Sequence, residues 1–153
     1  GSSINIIINR QPRTNTNTHS LSLARMATTT NITGNSEPVI YCSEEQEYYK
    51  ALEDAGNKLV VIDVFAEWCP PCRQIAPVFE ALARQHTDVV FIKVDVDKVP
   101  SIKAILGVWA MPSFYFFRNK QKLGSFMGAN EKALRRGIAN DGNVGVCSSC
   151  VVQ

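Results

Sequence analysis

The chain has 153 residues, enough for one domain with tails, and 45% of them are hydrophobic, so a core of ordinary size can form. A net charge of +2, with no basic run interleaved with aromatics, argues against nucleic-acid binding. No apolar stretch approaches the ~20 residues of a membrane-spanning helix.

Residues 1–37 carry little fold signal. Gly1-Ser2-Ser3 has the look of a tag scar, and residues 4–36 are rich in Asn, Thr and Ser, with Arg10, Arg13 and Arg25 and no acid before Glu37. Such a composition buries little apolar surface and reads as a disordered arm. Two origins compete for it: an organelle transit peptide, or a leader ahead of a true start at Met26.

Order is expected from residue 38. Val39-Ile40-Tyr41 predicts a short strand, and Ser43-Glu44-Glu45-Gln46 fits a capping box with Ser43 as the cap. Tyr48, Ala51, Leu52 and Ala55 then recur at the spacing of one buried helix face, and Gly56 ends the helix. Leu59 to Phe65 is a nearly continuous β-branched run, the pattern of a strand buried on both faces, with Asp63 inside it. A helix is expected to start near Cys72 with Pro71 in its first turn. Ile75, Val78, Phe79 and Leu82 form its apolar face, and Pro77 should kink it. Val89–Val94 predicts the next buried strand. Lys98–Leu106 predicts a short helix, with Pro100 in its first turn and Gly107 beyond its end.

Ser113–Phe117 and Leu123–Met127 predict two antiparallel strands around the turn Arg118-Asn119-Lys120-Gln121, where Asn119 best tolerates a left-handed conformation. Asn130 can cap a last helix running through Ile138. The order β-α-β-α-β-α-β-β-α predicts an α/β domain over residues 38–140: a central mixed five-stranded sheet, mostly parallel, flanked by four helices, with an antiparallel hairpin at its edge. Residues 141–153 read as a flexible tail.

Five cysteines, Cys42, Cys69, Cys72, Cys147 and Cys150, do not make the even framework of a secreted mini-protein, and no long apolar h-region stands near the start. The expectation is a reducing compartment, where paired cysteines are more often catalytic or metal-binding than structural. Cys69-Pro70-Pro71-Cys72 directly follows a buried strand and opens a helix. The two sulfurs can close a small ring, and the helix N-terminus lowers the pKa of the first thiol. A nucleophilic thiolate beside a resolving thiol is the minimum apparatus for disulfide exchange. Zinc sites use the same spacing, and Cys147-x-x-Cys150 makes a second pair. A whole half-domain separates the two pairs, however, far more than in a zinc ribbon, so no metal is expected. Cys42 reads as a buried inert thiol, and His19 and His86 receive no role.

Several further segments stand in register with this turn: Val64-Phe65-Ala66-Glu67-Trp68-Cys69-Pro70-Pro71-Cys72, then Ile75-Ala76-Pro77, Lys93-Val94-Asp95-Val96-Asp97 and Ala110-Met111-Pro112-Ser113-Phe114. Together they resemble the thioredoxin family over about residues 38–140, most of all its eukaryotic cytosolic, plant h-like members. The resemblance implies the thioredoxin fold and a protein-disulfide reductase that binds no cofactor and works through a redox-active Cys69–Cys72 disulfide. It implies disulfide-containing protein substrates, recharging by a thioredoxin reductase, and a cytoplasmic monomer, or an organellar one if residues 1–37 are a transit peptide.

It also implies roles. Cys69 is the attacking thiolate, the exposed cysteine of the turn, and Cys72 resolves the mixed disulfide. Asp63, whose burial should raise its pKa, takes the proton from Cys72, with Lys93 as its charge partner on the next strand. The other reading of Asp63 is a merely hydrogen-bonded core acid. Pro112 matches the family's cis-proline, and Met111 before it offers a backbone edge to an extended substrate. Trp68 packs beside the cysteines or is simply core. Gly128 permits close approach of the substrate backbone. Pro70, Pro71, Trp68 and Lys93 tune the redox pair.

This sequence departs from the family pattern in three places: Pro70 replaces the commoner Gly, the hairpin turn lacks its usual Gly, and Trp109 stands where a smaller or charged residue is usual. Trp109 either forms a rim of the substrate groove or packs on the short helix before it. An oxidant or isomerase of the secretory pathway is disfavoured by the missing signal peptide, by the missing retention tetrapeptide and by the absence of His before Cys72. A redox-inactive binding module would have no need of Cys69, Cys72, Asp63 and Pro112 together. Cys150-Val151-Val152-Gln153 reads as a C-a-a-X sequence of the farnesylated kind, with Cys147 placed for palmitoylation; the reading expects peripheral membrane association. A chance ending and an auxiliary Cys147/Cys150 redox pair are its alternatives.

Overall fold

The computed structural model describes residues 37–145. Expectations for the N-terminal arm, for Cys147 and Cys150 and for the residues around them lie outside the described residues. Nine elements follow in the predicted order: β1 (Val39–Cys42), α1 (Glu45–Asp54), β2 (Val60–Phe65), α2 (Pro70–Gln85), β3 (Val90–Asp95), α3 (Pro100–Leu106), β4 (Ser113–Arg118), β5 (Gln121–Met127) and α4 (Glu131–Ala139). The strands form one sheet in the order β1-β3-β2-β4-β5. β3 pairs in parallel with β1 and β2, and the β4–β5 hairpin joins β2 antiparallel.

β2 is central, and both of its faces are buried, which is why its sequence does not alternate. Val60, Ile62 and Val64 pack with Ile92 and Val94, with Tyr48, Ala51 and Leu52 of α1 and with Ile102 of α3. Val61 packs on the other side with Phe91, Phe114 and Phe116, with Ile75, Phe79 and Leu82 of α2 and with Leu134 and Ile138 of α4. Phe79 meets Phe91 edge-on at 5.1 Å between ring centroids. Burying each such ring contributes roughly 1.5–3 kcal/mol.

Local chemistry moves several boundaries. The cap of α1 is Glu44, not Ser43: the Glu47 carboxylate accepts the N–H of Ser43 at 2.7 Å and of Glu44 at 3.2 Å. A charged acceptor one turn into the helix also meets the positive end of the helix dipole, an advantage the neutral Gln46 lacks. α2 begins two residues earlier than predicted, because Pro70 and Pro71 both occupy first-turn positions that need no N–H. It continues through Pro77 to Gln85.

The β4–β5 strands run up to a two-residue turn with Asn119 at φ 51° and Lys120 at φ 63°. Two successive left-handed residues match the twist of the flanking strands, so β5 starts at Gln121 rather than Leu123. Lys120 is tied to Glu53 of α1 at 2.9 Å.

The expected tail does not begin at 141. Asp141 and Gly142 take positive φ and reverse the chain after α4, and the Gly142 N–H donates to the Gly137 carbonyl at 2.7 Å. Asp141 then pairs with Arg118 at 2.8 Å, and Val144 packs on the α2/α4 side of the core.

Candidate active site

β2 carries Asp63 into the core and delivers the chain to a tight turn, Ala66 to Cys69, closed by the Cys69 N–H on the Ala66 carbonyl at 3.2 Å. Cys69 is the N-cap of α2, and Cys72 lies in its first turn. The two form a disulfide with Cα atoms 5.3 Å apart. Since neither proline carries an N–H, the first donor of the helix is Cys72, 3.4 Å from the Cys69 sulfur.

One expectation is corrected here: Cys69 is only 4% exposed, hardly more than Cys72. Bonded to each other, both sit in the same buried cluster as Val64, Ala66 and Val99, against which Met111 packs. Cys42 is a free, buried thiol, pushed up to about 11 by burial, as an inert core cysteine should be.

Asp63 is fully buried, between Lys93 of β3 and Phe114 of β4 in register. Among the described residues neither of its oxygens has a hydrogen-bond partner. The Lys93 ammonium lies 3.9 Å away, an ion pair without a hydrogen bond. Burial pushes the acid up to about 7, against the opposing pull of Lys93. By strand alternation Asp63 shares a face with Val61, the face covered by Ile75, Phe79 and Leu82 of α2; Cys72, in the first turn of that helix, packs in the other cluster.

The rest of the site is built from three short segments. Met111-Pro112 is cis, and the Pro112 carbonyl accepts the Gly128 N–H at 2.8 Å. Gly128 holds φ 88°, so the backbone itself requires glycine there; a side chain would meet open space. Trp68 is not core, because it is 63% exposed and its indole N–H donates to Asp97 at 2.9 Å. Trp109 is 79% exposed, which excludes packing on α3.

Sequence reasoning missed the residues that brace these segments. Asp97 holds Trp68. Lys98 pairs with Glu67 at 3.1 Å, and Arg73 donates to the Glu67 carbonyl at 3.0 Å. Buried Ser113 donates to the Ala110 carbonyl at 2.6 Å, fixing the cis loop. The motif Lys93–Asp97 contained Asp97, but only the folded chain shows what it holds. A surface cavity of about 460 Å³ between α1, α3 and the hairpin includes none of these residues. Among the described residues no three His, Cys, Asp or Glu side chains gather as a metal site.

A disulfide capping a helix, a buried acid on the strand that leads to it and a cis-proline loop beside it define a thiol–disulfide oxidoreductase, whose redox group is the cysteine pair itself. The thioredoxin family model matches residues 39–140. Thioredoxin of Ictalurus punctatus is 41% identical over 102 residues, 65% of this chain and 95% of that protein. Thioredoxin H-type of Brassica campestris is 44% identical over 98 residues, 63% of this chain and 80% of its own length. Reduced Schistosoma mansoni thioredoxin pre-protein superposes with a TM-score of 0.66 at 38% identity, over 69% of this chain and 99% of that one. The chain belongs to the thioredoxin family and is a protein-disulfide oxidoreductase.

Proposed function

We propose that this protein runs as a reductant, with a defined role for each residue of the site. A reductase of the thioredoxin-reductase type supplies two electrons and opens the Cys69–Cys72 disulfide. The Cys69 thiolate, favoured by its place at the N-terminus of α2, attacks a target disulfide. A Cys69–target sulfur bond forms, and one target thiolate leaves. Asp63 takes the proton of Cys72, whose thiolate then attacks the Cys69 sulfur. The Cys69–Cys72 bond re-forms, and the second target thiolate leaves. The observation that carries this reading is the buried, unbonded Asp63 carboxyl on the α2 face, poised near neutrality.

Met111, cis-Pro112 and Gly128 offer the backbone edge for an extended substrate, with exposed Trp68 and Trp109 as its rims. Insulin-disulfide reduction tests the direction of flow. Rapid reduction in the wild type, and a trapped mixed disulfide in Cys72→Ser, are expected; an inactive wild type would return the chain to a binding role. A cytoplasmic monomer is the reading that the family resemblance supports, and Cys150-Val151-Val152-Gln153 supports a lipid on Cys150. The intact mass of protein from its native eukaryotic cell tests it, and an unmodified Cys150 followed by Val151-Val152-Gln153 would end it.

A further inference from the structure

The Lys93 ammonium is the charge beside buried Asp63, so the ionisation of the acid depends on where that ammonium sits. A lysine in a core ordinarily extends its head toward water. Lys93 has a short way out, because β3 is flanked by the edge strand β1. Yet it is 5% exposed, and Tyr41 stands across that route. In register, Tyr41 is the partner of Lys93 on one side and Asp63 its partner on the other. The three form one row across β1, β3 and β2.

The Lys93 ammonium lies 5.4 Å from the centroid of the Tyr41 ring and 4.6 Å from that of Phe65, two residues beyond Asp63. The Tyr41 hydroxyl donates to Glu80 of α2 at 3.4 Å. Tyr41 is 53% exposed and belongs to neither core cluster, so hydrophobic packing does not account for an aromatic there.

We propose that Tyr41 and Phe65 are positioning residues whose rings clamp the Lys93 ammonium against Asp63 and thereby set the ionisation of the acid that serves Cys72. The clamp rests on the proton role given to Asp63 above. The other charged groups around the row are Glu80 of α2 and Glu37 ahead of β1; β4 contributes the uncharged Phe114. Burial and Glu80 hold the Tyr41 hydroxyl above its usual range, so it stays neutral while Asp63 titrates.

The test is a carboxyl-carbon NMR titration of Asp63 in the oxidised full chain. Tyr41→Leu keeps apolar cover but removes the ring face. It should raise the Asp63 midpoint by about half a pH unit as Lys93 drifts away. Tyr41→Phe keeps the ring and should stay within about 0.2 unit of wild type. Phe65→Leu, which leaves β1 untouched, should move the midpoint in the same direction as Tyr41→Leu. In a Lys93→Met background, Tyr41→Leu should add nothing.

An unchanged midpoint, a fall caused by water reaching the acid, or an equal shift without Lys93 would overturn the clamp. So would a Tyr41→Phe shift as large as that of Tyr41→Leu, which would assign the effect to the Glu80 bond. The pH profile of mixed-disulfide resolution should move with the midpoint. A moved midpoint under an unmoved profile would count against Asp63 as the proton acceptor, not against the clamp.

Discussion

At Asp63 two physical demands collide. The strand needs a residue that the core accepts, and the chemistry needs a group that ionises near neutrality. The folded value of about 7 lies above the usual 3.8, so the folded protein keeps a proton that the unfolded chain loses from about pH 4 upward. The contribution of this group to stability is therefore whole below pH 4, falls as pH rises toward 7 and is flat beyond. Asp63→Asn should remove that fall. The variant is expected to be more stable than wild type by about 2–4 kcal/mol at pH 8 and nearly equal to it below pH 4, by urea denaturation across pH. It should also slow mixed-disulfide resolution by roughly tenfold or more. Equal stability of the two proteins at pH 8 would show that the acid is not strained by burial. Pro70 acts on the other side of the reaction. It withholds an N–H from the Cys69 thiolate, leaving Cys72 as the first donor, and so disfavours the dithiol. The wild type should have a potential at or below about −270 mV, and Pro70→Gly should raise it by about 10–30 mV in a glutathione titration. A more reducing glycine variant would sink this account.

Helix α4 shows how packing reverses a local preference. Gly137 lies inside the helix, where alanine would normally stabilise by ~1 kcal/mol. Here an added methyl would run into the Phe116 ring, which lies against the glycine. Phe116 is fully buried in the α2/α4 side of the core and cannot move without disturbing Phe126, to which it stacks at 6.2 Å. Gly137→Ala is thus expected to destabilise the fold by about 1–3 kcal/mol, read from the urea midpoint at constant m-value. A gain in stability would mean that α4 can shift outward freely. The same element explains why packing continues past residue 140: Gly142 also lies against Phe116 and Leu123, and its reversal of the chain covers the hairpin.

For the whole molecule, the distribution of exposed apolar side chains indicates where partners bind. Trp109 has the greatest exposure among the large exposed hydrophobics of the described residues, and it stands two residues before the cis peptide of Met111-Pro112. An indole in water at the edge of a groove gains most when a protein surface closes over it. Trp109→Ala should lower kcat/KM by about tenfold for the reductase and for insulin, while a small aromatic disulfide reacts at the wild-type rate. Unchanged efficiency with both protein partners would remove Trp109 from the interface.

What the sequence determined by itself was whatever is encoded locally. The nine elements follow from hydrophobic period and from Gly and Pro punctuation. The dithiol follows from two cysteines one helical turn apart after a buried strand, and the Asn130 cap follows from a side chain three residues from the N–H it accepts. Beyond the burial of β2 and the Asp63–Lys93 neighbourhood, which the hydrophobic run and the family resemblance implied, register and exposure were not legible, because they are fixed by residues far apart in the chain. Only the sheet places Tyr41, Lys93 and Asp63 in one row, leaves the acid without a hydrogen bond, buries Cys69 beside Cys72 and turns Trp68 outward onto Asp97. Burial and electrostatic coupling depend on distance in space, and a linear sequence carries that distance only where neighbours in the chain are also neighbours in the fold.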